Sequence, residues 1–201
     1  LYAEIEAQLR AGQPVVMATV IQTRGSTPRK EGSSMLVQAD GRLVGTIGGG
    51  CGEAGVIQKA KLSLLDGKLR EELADLTEDI SPDSEAVCGG TLRVFIEPWQ
   101  PSAERIALAH LLGELADSGR PVVVHQVVRE PGAAARLGQR RVLDAAGQAL
   151  YSDLAPDVTP PPAPSGKPNQ LRTVGELQIY SERWDPVPVL VIVGAGHIAE
   201  P

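Results

Sequence analysis

The sequence predicts an α/β fold in which a mixed or mostly antiparallel sheet layer, built from two related halves, packs against flanking helices. Apolar residues recur at helical spacing over residues 1–11, 52–66 and 102–118. Short β-branched runs separated by x-Gly turns predict strands joined as hairpins. The segment 121–154 can also be laid under 14–47 with one gap, which suggests an internal duplication. Two unrelated three-strand meanders would be the alternative source of this match.

The first half reads as a helix followed by three strands and a second helix. Ile5 and Leu9 stand four residues apart, as on one face of a helix. A β-branched run over 14–22, then the runs "SSMLVQA" and "RLVGTI" on either side of an Asp-Gly turn, predict a meander. Gly67 is a plausible stop for the helix predicted over 52–66.

The second half repeats this order. An extended "ADLTED" and the strand "TLRVFIEPW" lead to the helix 102–118, with Ser102 as its predicted N-cap. After the repeated meander comes a Pro-rich stretch, predicted to be a surface loop or a semi-rigid, partly disordered linker. The expected divisions are an N-terminal α/β domain (1–155), the Pro-rich loop or linker (156–168), a last strand with its connector (169–187), and the start of a Rossmann-like domain (188–201).

Composition excludes several classes of protein. The net charge is −6 over 201 residues, which argues against a nucleic-acid binder because phosphate backbones require clustered cations. No apolar run reaches the roughly 18 residues of a membrane span, and the N-terminus does not read as a signal peptide. Two cysteines do not make a disulfide framework, so a reducing cytoplasm is the expected compartment. The chain begins at Leu1 and stops inside a motif at Pro201, so we expect a fragment.

The stretch "GTIGGGCGEA" is the first candidate site. Gly48, Gly49 and Gly50 lead from a predicted strand into a predicted helix, which leaves several backbone N–H groups free for an anion. Cys51 would stand at the helix N-terminus, where the dipole favours the thiolate, a soft donor suited to a soft metal. A tight turn holding a small apolar cysteine, with Glu53 as a favourable first-turn acid, is the alternative.

Two further segments carry candidate ligands. The loop "RGSTPRKEG" offers Arg24, Arg29 and Lys30 with the hydroxyls of Ser26 and Thr27, a set that could bind phosphate, or could form a solvated loop. In "VCGGT", the thiol of Cys88 precedes two glycines and a strand, and a purely structural loop is the alternative. Two cysteines are too few for a closed zinc site.

The C-terminal "VLVIVGAGHIA" has the form of a buried strand followed by the first turn of a dinucleotide-binding unit. Gly194 and Gly196 occupy the positions for the tight turn and for close approach of a pyrophosphate, and His197 follows them. The crossover helix and the acidic ribose ligand are not in the sequence, so this is half a motif. No nucleophile–base–acid triad, HExxH or Walker pattern appears.

Taken together, "ATVIQTRGSTPRKEGSSMLV", "GTIGGGCGEAGV", "VCGGTLRVFIEP" and "VLVIVGAGHIAEP" occur in an order and spacing that resemble the XdhC/CoxI family. These are accessory proteins that mature xanthine dehydrogenase and related molybdenum hydroxylases. The resemblance implies a chaperone, without turnover of its own, that binds molybdenum cofactor, favours its sulfurated form and delivers it. It also implies an apo-hydroxylase and a cysteine desulfurase as partners, and a homodimer.

On this reading the cofactor would be held by the glycine run together with Glu53, by the cationic loop and by a cysteine, with Cys51 as a possible molybdenum contact. A nucleotide could bind the C-terminal turn. Two functions of other classes stay open: an NAD(P)-dependent Rossmann oxidoreductase or transferase, and a scaffold that only docks partners.

Overall fold

A computed structural model describes residues 1–76, 89–132 and 134–186, except for the side chain of Cys51. Three helices occupy the predicted places, and Ser102 caps the third by accepting a hydrogen bond from the Arg105 N–H. No helix in these ranges is long and apolar enough to cross a bilayer. The helices are α1 (Tyr2–Arg10), α2 (Gly50–Asp66) and α3 (Ala103–Asp117).

The strands form two five-stranded sheets, and every described pairing is antiparallel. The first sheet has the order β3-β2-β1-β5-β4, with β1 (Val15–Gly25), β2 (Ser34–Gln38), β3 (Leu43–Gly45), β4 (Arg70–Asp75) and β5 (Gly90–Trp99). The second has the order β8-β7-β6-β10-β9, with β6 (Val122–Arg129), β7 (Arg140–Asp144), β8 (Ala149–Ser152), β9 (Asn169–Val174) and β10 (Leu177–Trp184).

The α/β class and the antiparallel pairing are therefore confirmed, but the expected single sheet layer is replaced by two sheets. The reason for the two sheets is that each half has two further strands outside its repeated three-strand meander. In each half a later strand, β5 or β10, returns to pair with the first strand of its own meander. Each half thus completes its own sheet, and α3 crosses from one sheet to the other. The Rossmann-like segment 188–201 lies outside the described residues.

The two sheets have the same topology, and their backbone hydrogen bonds correspond. Gly41 and Gly147 occupy matching turns with φ of 87° and 79°, a conformation that favours glycine. This agreement in hydrogen bonding as well as strand order favours duplication over two unrelated meanders. The matched bonds are Val20 N–H to Ser33 O with Val127 N–H to Gln139 O, and Gly41 N–H to Gln38 O with Gly147 N–H to Asp144 O.

A β-bulge stands at the same place in both halves. The register of β1 against β5 shifts between Val20 and Gln22, and that of β6 against β10 shifts between Val127 and Arg129. The extra residue of each bulge turns toward the other sheet, where the two bulges share one apolar cluster. A bulge changes the face on which the following side chains lie, and this re-aiming shapes the candidate site. The shared cluster contains Ile21, Phe95, Val128 and Tyr180.

Apolar layers lie between and outside the sheets. The central cluster joins α1 and α3 to both sheets around the fully buried Trp99. On the outer face of the first sheet, α2 contributes Val56 and Ala60. On the outer face of the second sheet the same position is covered by the Pro-rich loop, whose flanking Leu154 and internal Val158 are buried. The loop thus packs where the first half has a helix.

Candidate functional site

Three of the predicted site segments meet at one end of the first sheet. Because β2 and β5 run antiparallel to β1, and β3 runs antiparallel to β2, the ends of β1 and β3 lie at the same end of the sheet as the start of β5. The cationic loop leaves the end of β1, the glycine run follows β3, and Gly90 begins β5. The topology therefore brings together segments that are far apart in the sequence.

The cationic loop and the start of β5 touch through glycine backbones. A Cβ atom placed on Gly90 would lie 2.5 Å from the carbonyl oxygens of both Arg24 and Ser26. A Cβ on Gly25 would lie 2.6 Å from the carbonyl oxygen of Gly89. Neither neighbour can move aside, because each is backbone. The second glycine of "VCGGT", Gly90, is thus explained by close packing against the loop, whereas a Cβ on Gly89 would meet no described atom within 4 Å.

The glycine run contacts the same loop at Gly48, where a Cβ would lie 2.6 Å from Cγ of Pro28. Gly49 and Gly50 have φ of 75° and 70°, yet a Cβ on either would meet no described atom within 4 Å. Among the described residues, backbone conformation rather than crowding therefore accounts for these two glycines.

Glu53 holds the turn before the glycine run. Its Oε1 accepts hydrogen bonds from Oγ1 of Thr46, at 2.9 Å, and from the Ile47 N–H, at 3.0 Å. Oγ1 of Thr46 in turn accepts from the Gly48 N–H at 3.1 Å. The carboxylate thus supports the loop, a role that is distinct from the ligand contact expected from the sequence.

Helix α2 begins at Gly50, and its N-cap is Gly49, a residue without a side chain that could cap the helix. Cys51 is the second residue of this helix, as predicted, but its side chain is not described. The other predicted contacts at Cys88, Gly194, Gly196 and His197 lie outside the described residues. Within the described ranges, no group of three or more His, Cys, Asp or Glu side chains could hold a metal ion.

A cleft of about 560 Å³, here called the arginine cleft, opens beside this end of the first sheet. Arg24 and Arg93 come from neighbouring strands of the first sheet, and Arg129 comes from the second sheet. The bulge at Ile21 places Gln22 and Arg24 on the same face as Arg93. The remaining lining residues are Gly25, Glu71, Leu73, Gly89, Gly90 and Thr91.

The three arginines are not equivalent. Arg93 is mostly buried and forms a fork with Glu71, with Nε–Oε1 and Nη2–Oε2 distances of 2.6 Å. Arg24 and Arg129 are exposed, and neither side chain has an ion pair or hydrogen bond within the described residues. Among the residues that the structure describes, Glu71 therefore compensates one of the three arginines, and the charges of Arg24 and Arg129 remain.

A second cleft of about 510 Å³, the lysine cleft, lies on the other side of the cationic loop. Lys30 and Lys167 line it with the hydroxyl-bearing Ser26 and Thr27. Asn169 joins the two halves here by donating from Nδ2 to the Glu31 carbonyl oxygen at 2.6 Å. The remaining lining residues are Thr23, Gly25, Glu31 and Pro168.

The cations expected to act together are thus divided. Arg24 lines the arginine cleft, Lys30 and Ser26 line the lysine cleft, and Arg29 lines neither. The β-bulge in β1 determines the face on which Arg24 lies. The sequence did not predict this position, because no periodicity in the sequence shows where a bulge occurs.

Three cationic lining residues were not predicted. Arg93 carried a usable signal, since a charged residue inside the apolar run "TLRVFIEP" requires a partner or a polar cavity. Arg129 and Lys167 come from the second half, at a strand end and in the Pro-rich loop. Their approach to the first half depends on how the sheets pack, which local patterns do not encode.

The first half also carries two segments that the second half lacks. Where the second half joins β9 to β10 by the residues 175–176, the first half joins β4 to β5 by 76–89. Where the second half has its Pro-rich loop, the first half has the glycine run and α2. Every described residue that lines the arginine cleft except Arg129 comes from the first half, so the site belongs mainly to that half.

Residues 8–74 match the model of the XdhC and CoxI family. Over 97 residues the chain is 35% identical to a Bacillus subtilis protein described as a probable xanthine dehydrogenase subunit, covering 46% of this chain and 29% of that protein. It is 36% identical over 63 residues to the molybdenum cofactor insertion chaperone PaoD of Escherichia coli, covering 31% of this chain and 20% of PaoD. An uncharacterized Escherichia coli protein, YqeB, is 35% identical over 123 residues, which are 58% of this chain and 23% of YqeB.

A crystal structure described as a xanthine dehydrogenase from Bacillus halodurans shares the fold, with a TM-score of 0.64 and 22% identity. The match covers 92% of this chain and 53% of that one. The chain thus spans less than a third of the curated relatives and about half of the solved structure. The match of residues 8–74 to the XdhC and CoxI family model confirms the resemblance predicted from the order of the motifs.

Proposed function

We propose that this chain binds molybdenum cofactor at the glycine-lined end of its first sheet and helps to insert it into a xanthine dehydrogenase-type hydroxylase. The observation that carries the proposal is that the cationic loop contacts both the glycine run and the start of β5 at one end of the first sheet, where the loop and β5 also line the arginine cleft. The cofactor would be the cargo of the protein and would leave with the target enzyme.

The chemistry of the cleft suits such a cargo. Molybdenum cofactor is a pterin that carries a phosphate and a metal held by sulfur. Arg24 and Arg129 offer guanidinium groups that have no ion-pair partner among the described residues. The exposed Leu73 on the edge strand offers apolar surface at the same cleft, and the N-terminus of α2, at the same end of the sheet, favours negative charge.

Cys51 is the proposed soft ligand. Its place in the first turn of α2 favours the thiolate through the helix dipole, and thiolates suit soft metal centres. Glu53 and Gly48 then serve the site indirectly by fixing the turn that leads to this helix.

The wider role follows from the relatives. PaoD is named as an insertion chaperone and the Bacillus subtilis relative as part of a xanthine dehydrogenase, so the proposed partner is an apo-hydroxylase in the cytoplasm. Preference for the sulfurated cofactor, exchange with a cysteine desulfurase, assembly as a homodimer and a nucleotide at the C-terminal glycine turn belong to the same proposal.

The test is a transfer experiment. The purified chain is loaded with molybdenum cofactor, passed through gel filtration and mixed with an apo-hydroxylase, whose activity is then followed. Cys51→Ala is compared with Gln58→Ala, an exposed position on the same helix, and NAD(P) binding is measured in parallel.

We expect the wild type and Gln58→Ala to retain the cofactor and to activate the enzyme, and Cys51→Ala to do both less well. Unchanged retention and activation by Cys51→Ala would remove the cysteine from the site. Binding of NAD(P) without retention of the cofactor would overturn the proposed function in favour of a nucleotide-dependent enzyme.

A further inference from the structure

We propose that the arginine cleft is a binding site for a phosphate monoester, built jointly by the two halves of the duplicated fold. This proposal rests on the proposed function for the identity of the natural ligand, but phosphate binding itself can be tested without molybdenum. Arg24 comes from the first sheet and Arg129 from the second, so neither half forms the site alone.

The two bulges create this arrangement. Arg129 is the first residue after the bulge of β6, and Arg24 lies just beyond the bulge of β1. Without its bulge, β1 would direct Gln22 and Arg24 to the opposite face, beneath α2. Both irregularities occur where the sheets approach each other, and together they place a cation from each sheet at one cleft.

The charge of the cleft selects an anion of about two units. Arg93 is compensated by the fork to Glu71, whereas Arg24 and Arg129 have no carboxylate partner among the described residues. Like charges gathered in one cleft repel one another, and a bound dianion removes that cost. A phosphate monoester near neutral pH has this charge, and guanidinium groups bind its oxygens in pairs.

The lysine cleft is the weaker candidate. Glu31 lines it, and the nearby Lys167 is one of the causes that lower the pKa of this carboxyl, after its hydrogen bonds with Thr23. Part of the positive charge there is therefore already compensated within the protein. Its cations are also lysines, which act as point charges and do not fork.

The experiment is a titration of the full chain at low salt with inorganic phosphate and with phenyl phosphate, and with phenol as the uncharged control. Calorimetry gives the dissociation constant for the wild type, Arg24→Gln, Arg129→Gln and Arg120→Gln. Arg120 is the matched control, because it is exposed, loses the same charge and lines neither cleft.

We expect Arg24→Gln and Arg129→Gln each to weaken phosphate and phenyl phosphate about tenfold or more, as loss of a charge-assisted hydrogen bond does. Arg120→Gln should change binding less than about twofold. Equal losses in all three variants would reduce the effect to general surface charge and overturn the site. Binding by Arg129→Gln at the wild-type strength would also overturn it.

Amide chemical shifts of the wild type provide a second measurement that does not depend on any variant. Phosphate should shift the amides of Gly25, Gly90 and Thr91, which line the arginine cleft. Shifts centred on Lys30 and Lys167 would move the site to the lysine cleft and refute the proposal. If the wild-type chain does not bind phosphate but retains molybdenum cofactor, the phosphate site is refuted and the proposed function stands. If the chain binds phosphate at the arginine cleft but does not retain the cofactor, the proposed function is refuted and the phosphate site stands.

Discussion

Arg93 of β5 donates a hydrogen bond from Nη2 to Oε1 of Gln178 on β10, at 2.6 Å, and the two residues occupy equivalent positions in the two sheets. Each stands opposite the first residue after a bulge, Gln22 for Arg93 and Arg129 for Gln178. The duplicated halves therefore meet through their own matching residues, at the wall of the arginine cleft.

This bond should couple the two halves energetically. In a double-mutant cycle with Arg93→Met and Gln178→Met, we expect a coupling of about 1–2 kcal/mol in the free energy of unfolding, because the acceptor is neutral but the donor is charged. Urea denaturation of the four proteins measures it. A coupling below about 0.3 kcal/mol would show that the contact does not hold the halves together.

The adjacent glycines Gly89 and Gly90 should respond differently to alanine. A Cβ on Gly90 would lie 2.5 Å from two carbonyl oxygens, whereas one on Gly89 would meet nothing described within 4 Å, and neither has a positive φ. Gly90→Ala should cost about 1–3 kcal/mol of stability or more, and Gly89→Ala less than about 0.5 kcal/mol. Equal thermal midpoints for the two variants would contradict the packing of the cationic loop on β5.

Glu53 should prove to be a residue that stabilises the turn. Glu53→Ala removes the acceptor for Thr46 and for the Ile47 N–H, so we expect a loss of about 1–3 kcal/mol in urea denaturation. Glu114→Ala is the control, because its carboxylate is 68% exposed on α3 and should matter by less than about 0.5 kcal/mol. A harmless Glu53→Ala would instead favour a direct contact between Glu53 and the ligand.

Two groups in the second sheet should give stability opposite dependences on pH. Burial raises the pKa of Glu182 from 4.5 to about 7, so the folded state holds the extra proton and stability falls as the pH rises from about 4.5 to 7. Burial, with the positive charges of Arg141 and Arg172, lowers the pKa of His125 from 6.5 to about 4. The unfolded state then holds the extra proton, and stability rises between about pH 4 and 6.5.

The two slopes should largely cancel in the wild type and appear separately in the variants. Glu182→Gln should become more stable as the pH rises from 4.5 to 6.5, and His125→Gln should become less stable, each by roughly 2–3 kcal/mol. Urea midpoints at pH 4.5, 5.5 and 6.5 measure these slopes. Parallel pH profiles for both variants would contradict the assignment of the buried protons.

The sequence was sufficient for the parts of the fold that local patterns determine. Apolar spacing located all three helices, and Ser102 caps α3 as predicted. The matched turns at Gly41 and Gly147 made the duplication visible, because only special backbone conformations require glycine there. These features depend on interactions within a few residues.

The number of sheets and the composition of the clefts depend on longer-range packing. The bulges at Ile21 and Val128 decide which arginines face the interface, and a bulge leaves no periodic signal. Arg129 and Lys167 reach the first half only after the sheets have packed. The cationic loop was therefore recognised, but its division between two clefts was not.

The glycine-lined end of the first sheet is where we propose that molybdenum cofactor binds. Equilibrium dialysis of the wild-type chain against cofactor released from a molybdoenzyme, with molybdenum and pterin measured on both sides of the membrane, tests this binding without a partner enzyme. We predict that both accumulate with the protein in equal amounts, approaching saturation, and that Arg24→Gln reduces both. If the molybdenum concentration is the same on the protein side and the protein-free side, and the pterin concentration is also the same on both sides, the proposal is contradicted.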